Sequence, residues 1–136
     1  MIRRLLNTLT SVVLLSSLAL AGDPLKEGSF SARSDGTVIY VRWMSEDETD
    51  VVRFEVERKA GLDGQFFLLS EIQPKGNNSV YEYVDDSAFR MTETLYKYRI
   101  KVVYSNGSSV YSPEIIVRHD VNPVRRTWGS IKAMFR

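Results

Sequence analysis
The chain has 136 residues, with 18 Lys and Arg against 17 Asp and Glu, a single His and no Cys. Such near-neutrality argues against a general nucleic-acid binder, which carries a strong basic excess. The lack of Cys removes thiol nucleophiles, thiolate metal sites and disulfide staples, so stability must rest on a hydrophobic core.

The first residues, Met1-Ile2-Arg3-Arg4, precede an apolar stretch over 5–20, and Ala19-Leu20-Ala21 then stands before Gly22. A basic start, an apolar middle and a small-x-small site form the three-part layout of a secretory signal. Residues 1–21 are therefore expected to be a signal peptide cut after Ala21. The competing reading keeps the stretch as an uncleaved anchor, because a bilayer core needs about 20 residues. No Cys follows it to carry a lipid. Cleavage leaves residues 22–136 with 16 basic and 17 acidic side chains, a net charge of −1 and one domain by the usual size rule.

Residues 22–33 read as a linker or a first edge strand. Over 37–43, Ile39, Val41 and Trp43 alternate with Tyr40 and Arg42, the period of a half-buried strand. An acidic loop over 45–50 follows. Phe54 and Val56 then face one way, with Arg53, Glu55 and Glu57 facing the other. Asp63-Gly64 favours the positive φ of a tight hairpin turn. Phe66, Leu69 and Ile72 belong to an apolar run whose inward face the pattern does not assign. Tyr81 and Tyr83 alternate with Val80 and Glu82, and Asp85-Asp86 reads as a turn. The clearest strand sets Tyr96, Tyr98, Ile100 and Val102 inward against Lys97, Arg99 and Lys101 outward. Asn106-Gly107 is a second hairpin signal, and Tyr111, Ile115 and Val117 close the series, with Pro113 marking an edge strand. Short alternating strands separated by turn signals predict an all-β fold, a seven-stranded antiparallel sandwich over 34–119.

Trp43, Phe54-x-Val56, Tyr96 with Tyr98, Ile100 and Val102, Asn106-Gly107 and Tyr111-Ser112 together resemble a fibronectin type III domain. The wording Phe-Glu-Val-Glu-Arg with a later Tyr-x-Tyr-Arg-Ile-Lys is similar to the variety found in exported proteins of Bacteroidota and related bacteria. The resemblance covers residues 37–117. It implies an immunoglobulin-like fold in which Tyr96 pins the loop before the sixth strand. It also implies that Glu55 and Glu57 lie beside Lys97, Arg99 and Lys101 on a solvated sheet face. The turn over 88–94 lacks the Pro and Gly often found there, and the Arg-Gly-Asp triplet is absent from 105–109.

Reactive groups are sparse. His119 reads as a solvated surface residue rather than a catalytic base, and no Ser occupies a Gly-x-Ser-x-Gly elbow. Glu46, Asp47, Glu48 and Asp50 are read either as a solvated loop or as oxygen ligands for calcium. No enzyme activity and no cofactor are expected.

Residues 120–136 form a compositionally distinct tail. Trp128, Ile131 and Phe135 stand at i, i+3 and i+7, one stripe of a short helix, and Arg125, Arg126, Lys132 and Arg136 make it cationic. Arg125, Arg126, Trp128, Ile131, Lys132 and Phe135 are the expected partner-binding residues, aromatic anchors with basic flanks. Docking into a protein partner of the cell envelope, peripheral contact with an anionic membrane, and packing on its own domain are the three readings of this tail. The leading expectation is an exported binding or adaptor module, periplasmic, outer-membrane associated or extracellular. The alternative is a carbohydrate-binding accessory module of a secreted degradative system, with Tyr40, Phe89 and Tyr104 as aromatic platforms.

Overall fold
The computed structural model of the chain describes residues 22–88 and 94–120. The expected signal peptide over 1–21, Phe89, and the binding residues Arg125, Arg126, Trp128, Ile131, Lys132 and Phe135 lie outside the described residues.

The strands, in chain order, are β1 (Ser31–Ser34), β2 (Ile39–Met44), β3 (Val51–Ala60), β4 (Phe67–Ile72), β5 (Val80–Asp85), β6 (Leu95–Tyr104), β7 (Ser109–Tyr111) and β8 (Ile115–Arg118). They form two sheets in which every pairing is antiparallel. One has the order β1-β2-β5; the other has β4-β3-β6-β7, with β8 also on β6. No α-helix is present among the described residues. β7 pairs with Lys101–Val103 and β8 with Leu95–Tyr98, so the two lie end to end along one flank of β6. The break between them contains Pro113, which has no N–H to give a ladder.

The period-two pattern dictates which side chains meet between the sheets. Ile39, Val41 and Trp43 of β2 and Tyr81 of β5 turn inward from one sheet. Phe54, Val56, Tyr98, Ile100 and Val102 turn inward from the other. At the centre, Trp43 stacks on Tyr81 at 5.2 Å between ring centres and 6° between planes. Phe54 tilts against both rings, 6.0 Å from Trp43 and 5.0 Å from Tyr81. Each large side chain removed from water here contributes about 1.5–3 kcal/mol, and aromatic pairs of this geometry add about 0.5–1.5 kcal/mol. The alternation of β2, β3, β5 and β6 is as the sequence predicts.

Residues before β1 also belong to the packed body. Leu25 is buried in the core and bridges to Ser45, and the Lys26 amide donates to the Met44 carbonyl at 2.9 Å. β1 is a true edge strand, paired with β2 from Ser31↔Arg42 to Ser34↔Ile39.

The turn chemistry is half as expected. Gly107 has φ +85°, and its amide donates to the Tyr104 carbonyl at 2.9 Å, closing the β6–β7 hairpin. Between β3 and β4, however, the left-handed residue is Gly61 (φ +69°) and not the Asp63-Gly64 pair. The connection is a longer loop over 61–66. Gly64 serves it by close approach instead, since a Cβ there would stand 2.5 Å from the Ala60 carbonyl oxygen.

Candidate binding surfaces
The interior carries two polar clusters that fasten the sheets to each other. In the first, Arg58 extends the inward parity of Phe54 and Val56 along β3 and is 8% exposed. Its Nη1 donates to Asp85 Oδ2 at 2.6 Å and to Ser87 Oγ at 2.8 Å. The Tyr98 hydroxyl donates to the same Asp85 oxygen at 2.6 Å, and Ser87 caps the other oxygen through its hydroxyl (2.7 Å) and amide (3.1 Å). Arg58 also lies over the Tyr96 ring, 5.3 Å from its centre. Asp85, expected as a turn residue, is instead fully buried at the end of β5. Burial works against its charge, but the bonds from Tyr98, Ser87 and Arg58 outweigh this and hold its carboxyl below the usual range. Burial and the Asp85 charge drive the Tyr98 phenol well above its ordinary value.

The second cluster lies at the opposite end, under the acidic loop. Glu48 is buried rather than solvated. It accepts from the Tyr81 hydroxyl and, at 2.7 Å, from the Gly76 amide, while its own amide donates to Asn77 Oδ1 at 2.7 Å. The Lys75 amide donates to the Tyr81 oxygen at 2.8 Å. Burial, and then the Glu48 bond, push the Tyr81 phenol up to about 12. The Glu48 carboxylate therefore points into the protein, away from Glu46 and Asp50. Among the described residues, no group of three or more His, Asp or Glu side chains is placed to hold a metal ion.

His119 departs from the sequence reading as well. It is 1% exposed, its Nδ1 is 2.6 Å from Ser34 Oγ, and its amide donates to the Thr94 carbonyl at 2.7 Å. It stands two residues beyond buried Val117, on the same parity, and joins the edge of one sheet to the edge of the other. The Tyr96 hydroxyl donates to the Ala88 carbonyl at 3.2 Å, eight residues upstream, and so ties down the chain before β6.

On the outer face of the larger sheet, the register sets Glu57 opposite Arg99 and Glu55 opposite Lys101, the neighbours that the resemblance implied. Arg99 Nε is 3.0 Å from Glu57, whereas Glu55 pairs with Arg53 (3.4 Å) and Lys97 with Glu114 (3.5 Å). The face is more built than a plain solvated surface. The Arg99 guanidinium is held between the Phe66 ring at 3.8 Å and the Tyr111 ring at 4.0 Å. Lys59 caps Phe66 at 5.0 Å and Lys101 flanks Tyr111 at 5.9 Å. Sequence spacing hides this row, because Phe66 reaches it only through the shape of the 61–66 loop.

Of the aromatic platforms of the carbohydrate alternative, the two among the described residues, Tyr40 and Tyr104, lie on different sheets. Tyr40 sits in β2 of the smaller sheet, paired with Val84 and lying beneath Arg33 at 5.7 Å. Tyr104 ends β6 of the larger sheet, paired with Val51 and packed partly into the core.

One open concavity among the described residues is a groove of about 480 Å³ between residues 23–30 and 110–115. Leu25, Phe30, Val110 and Ile115 give it an apolar lining, and Asp23 and Glu27 stand at its rim with Lys26. Sequence reasoning missed it, since it depends on how far the N-terminal segment stands off β7. No protein-family model matches this chain, and no curated protein matches its sequence.

Proposed function
We propose that this protein is an exported, non-enzymatic adaptor: a fibronectin type III-like sandwich that presents its basic-aromatic C-terminal segment to a protein partner in the cell envelope. The tie from the Tyr96 hydroxyl to the Ala88 carbonyl supports the fibronectin-like reading, because that fold uses a tyrosine at this corner to hold the chain. One observation carries the functional reading. Arg58, Asp85 and Tyr98, three perturbed ionisable groups, spend hydrogen bonds on one another between the sheets, at distances of 2.6 Å. Perturbed groups aimed at a cleft mark a reaction site; perturbed groups that join two sheets mark a scaffold. Binding then falls to the parts whose polar and apolar groups are not already satisfied by the sandwich. The tail residues Arg125, Arg126, Trp128, Ile131, Lys132 and Phe135 have the composition of a docking hot spot.

The test removes residues 124–136 from the otherwise full chain and compares affinity capture from envelope extracts. The expected outcome is loss of one or a few specific partners, with the same loss for Trp128→Ala combined with Phe135→Ala. An unchanged set of captured proteins defeats the proposal.

A further inference from the structure
The flank of the sandwich between β1 and β8 is closed at one end and open at the other. At the closed end Ser34 of β1 meets His119, just past β8, at 2.6 Å. Toward the other end no strand of the described residues lies between the segment over 23–30 and the chain over 110–115, and the 480 Å³ groove occupies that gap. Its wall is a sheet edge. The Ser108 carbonyl accepts from Tyr104 and the Ser112 amide donates to Ile100, with Val110 opposite Val102 between them. Backbone direction alternates along a strand, so the N–H and C=O groups of Ser109 and Tyr111 point away from β6, toward the groove side. The side chains of Val110 and Tyr111 are 43% and 49% exposed. The upper mouth is acidic: Asp23 lies on the lining, and Asp47 is close enough that a Cβ on Gly22 would stand 2.9 Å from its Oδ2. The groove thus offers strand backbone that no other described strand pairs with, an apolar floor and negative charge at one end.

We propose that this groove seats the chain's own C-terminal segment, residues 124–136, laid along the outer edge of β7 in the free protein. The proposal rests on the reading of that segment as a docking element and adds how it is held when no partner is bound. Two observations select this occupant. Sixteen residues follow Asp120, enough to span about 55 Å if extended, well beyond the length of β7 and β8 together. The segment carries Arg125, Arg126, Lys132 and Arg136, four cations for a mouth where Asp23, Glu27 and the nearby Asp47 outnumber Lys26. The proposed path also fixes a register. A chain that reverses at Asp120 and returns antiparallel brings position 128 level with 112 and position 130 level with 110. Trp128 then meets the groove beside Pro113, and Ser130 comes beside Ser109 and Val110.

The absence of Cys from the chain makes the test direct. Ser109→Cys and Ser130→Cys are introduced together into the full exported chain and treated with a short bis-maleimide. A control chain pairs Ser130→Cys with Glu82→Cys on the outer face of the other sheet. Circular dichroism confirms that each variant keeps the β signal. The expected result is a cross-link within one chain at five or more times the control yield. It should fall to the control level when Asp23→Lys and Glu27→Lys are added. Equal yields at Ser109 and Glu82 overturn the proposal, as does a cross-link formed mainly between two chains. If the cross-link fails while deletion of 124–136 still strips partners from the capture, the seat is wrong and the docking reading stands. If the cross-link forms but the captured set is unchanged, the docking reading is wrong and the segment is a strand of the fold.

Discussion

Replacing Asp85 with Ala removes the acceptor on which one end of the sandwich converges. The fully buried carboxylate takes bonds from Arg58 and Tyr98 at 2.6 Å each and from Ser87 at 2.7 and 3.1 Å. Without it, the buried Arg58 guanidinium loses its 2.6 Å ion pair, and breaking such a pair from one side costs about 3–5 kcal/mol. Tyr98→Phe is milder, removing one donor to a charged acceptor for about 1.5–3 kcal/mol, because Arg58 and Ser87 still hold Asp85. The triple change Arg58→Met, Asp85→Leu, Tyr98→Phe deletes both charges and the orphaned hydroxyl, so it should recover most of the Asp85→Ala loss. Urea unfolding at neutral pH, followed by tryptophan fluorescence and far-ultraviolet circular dichroism, reads all three. Acid adds an independent signature. The Asp85 pKa is lower folded than unfolded, so its contribution is complete above the ordinary aspartate value near ~3.9 and is lost as pH falls through the folded value. The wild type should lose stability over that range more steeply than Asp85→Asn. A loss below about 1 kcal/mol for Asp85→Ala, or a triple variant no better than the single one, would refute the argument.

At the other end, Tyr81 should resist ionisation until about pH 12 in an absorbance titration, and Glu48→Gln should bring that value down. Because the folded value lies above the unfolded value near ~10, its contribution is complete below pH ~10 and lost between there and about 12; stability measured by denaturant across that window should fall. In the β3–β4 loop, Gly61→Ala meets the ordinary penalty of a left-handed residue, about 1–2 kcal/mol. Gly64→Ala should cost more in a thermal melt, because its Cβ collides with the rigid Ala60 carbonyl at 2.5 Å; equal melting temperatures for the two variants would discount that close approach.

The strands were legible because one side of each faces a common core, and Ile39, Val41, Trp43, Phe54, Val56, Tyr96, Tyr98, Ile100 and Val102 obey the two-residue period without exception. The same rule held information that reading apolar residues alone overlooks. Arg58 continues the parity of Val56, Asp85 that of Tyr83, and His119 that of Val117. A polar side chain in phase with an inward face must be buried and must find a partner, and in this fold Asp85 finds Arg58 while His119 finds Ser34. Glu48 gave no such sign. It lies in a loop, and its burial follows from the position of Tyr81 across the sheet interface, a distance in sequence that no local pattern spans. The Phe66–Arg99–Tyr111 row and the groove were hidden for the same reason: each depends on where a loop or leading segment comes to rest.

Both free edges of the larger sheet offer unpaired backbone, yet their surroundings differ in a way that bears on what can bind. β4 presents Phe67 at 65% exposure, but its pairing with β3 slips in register between Val56 and Glu57. Such a bulge twists an edge and discourages a second sheet from stacking against it. β7 has only three residues and ends before Pro113, and the segment over 23–30 stands beside it as the opposite wall of the groove. That wall obstructs the broad edge of another sheet but leaves room for a single strand entering along the groove axis. The outer faces offer less, because Arg99 is already held by Glu57 and two rings, and Arg42 of the smaller sheet is already paired with Glu82. An incoming chain would have to break those contacts on a face, whereas at β7 it meets backbone groups that no other described strand has taken. The edge of β7 is therefore the place on the sandwich where added pairing displaces least, and a slender segment suits it better than another folded domain.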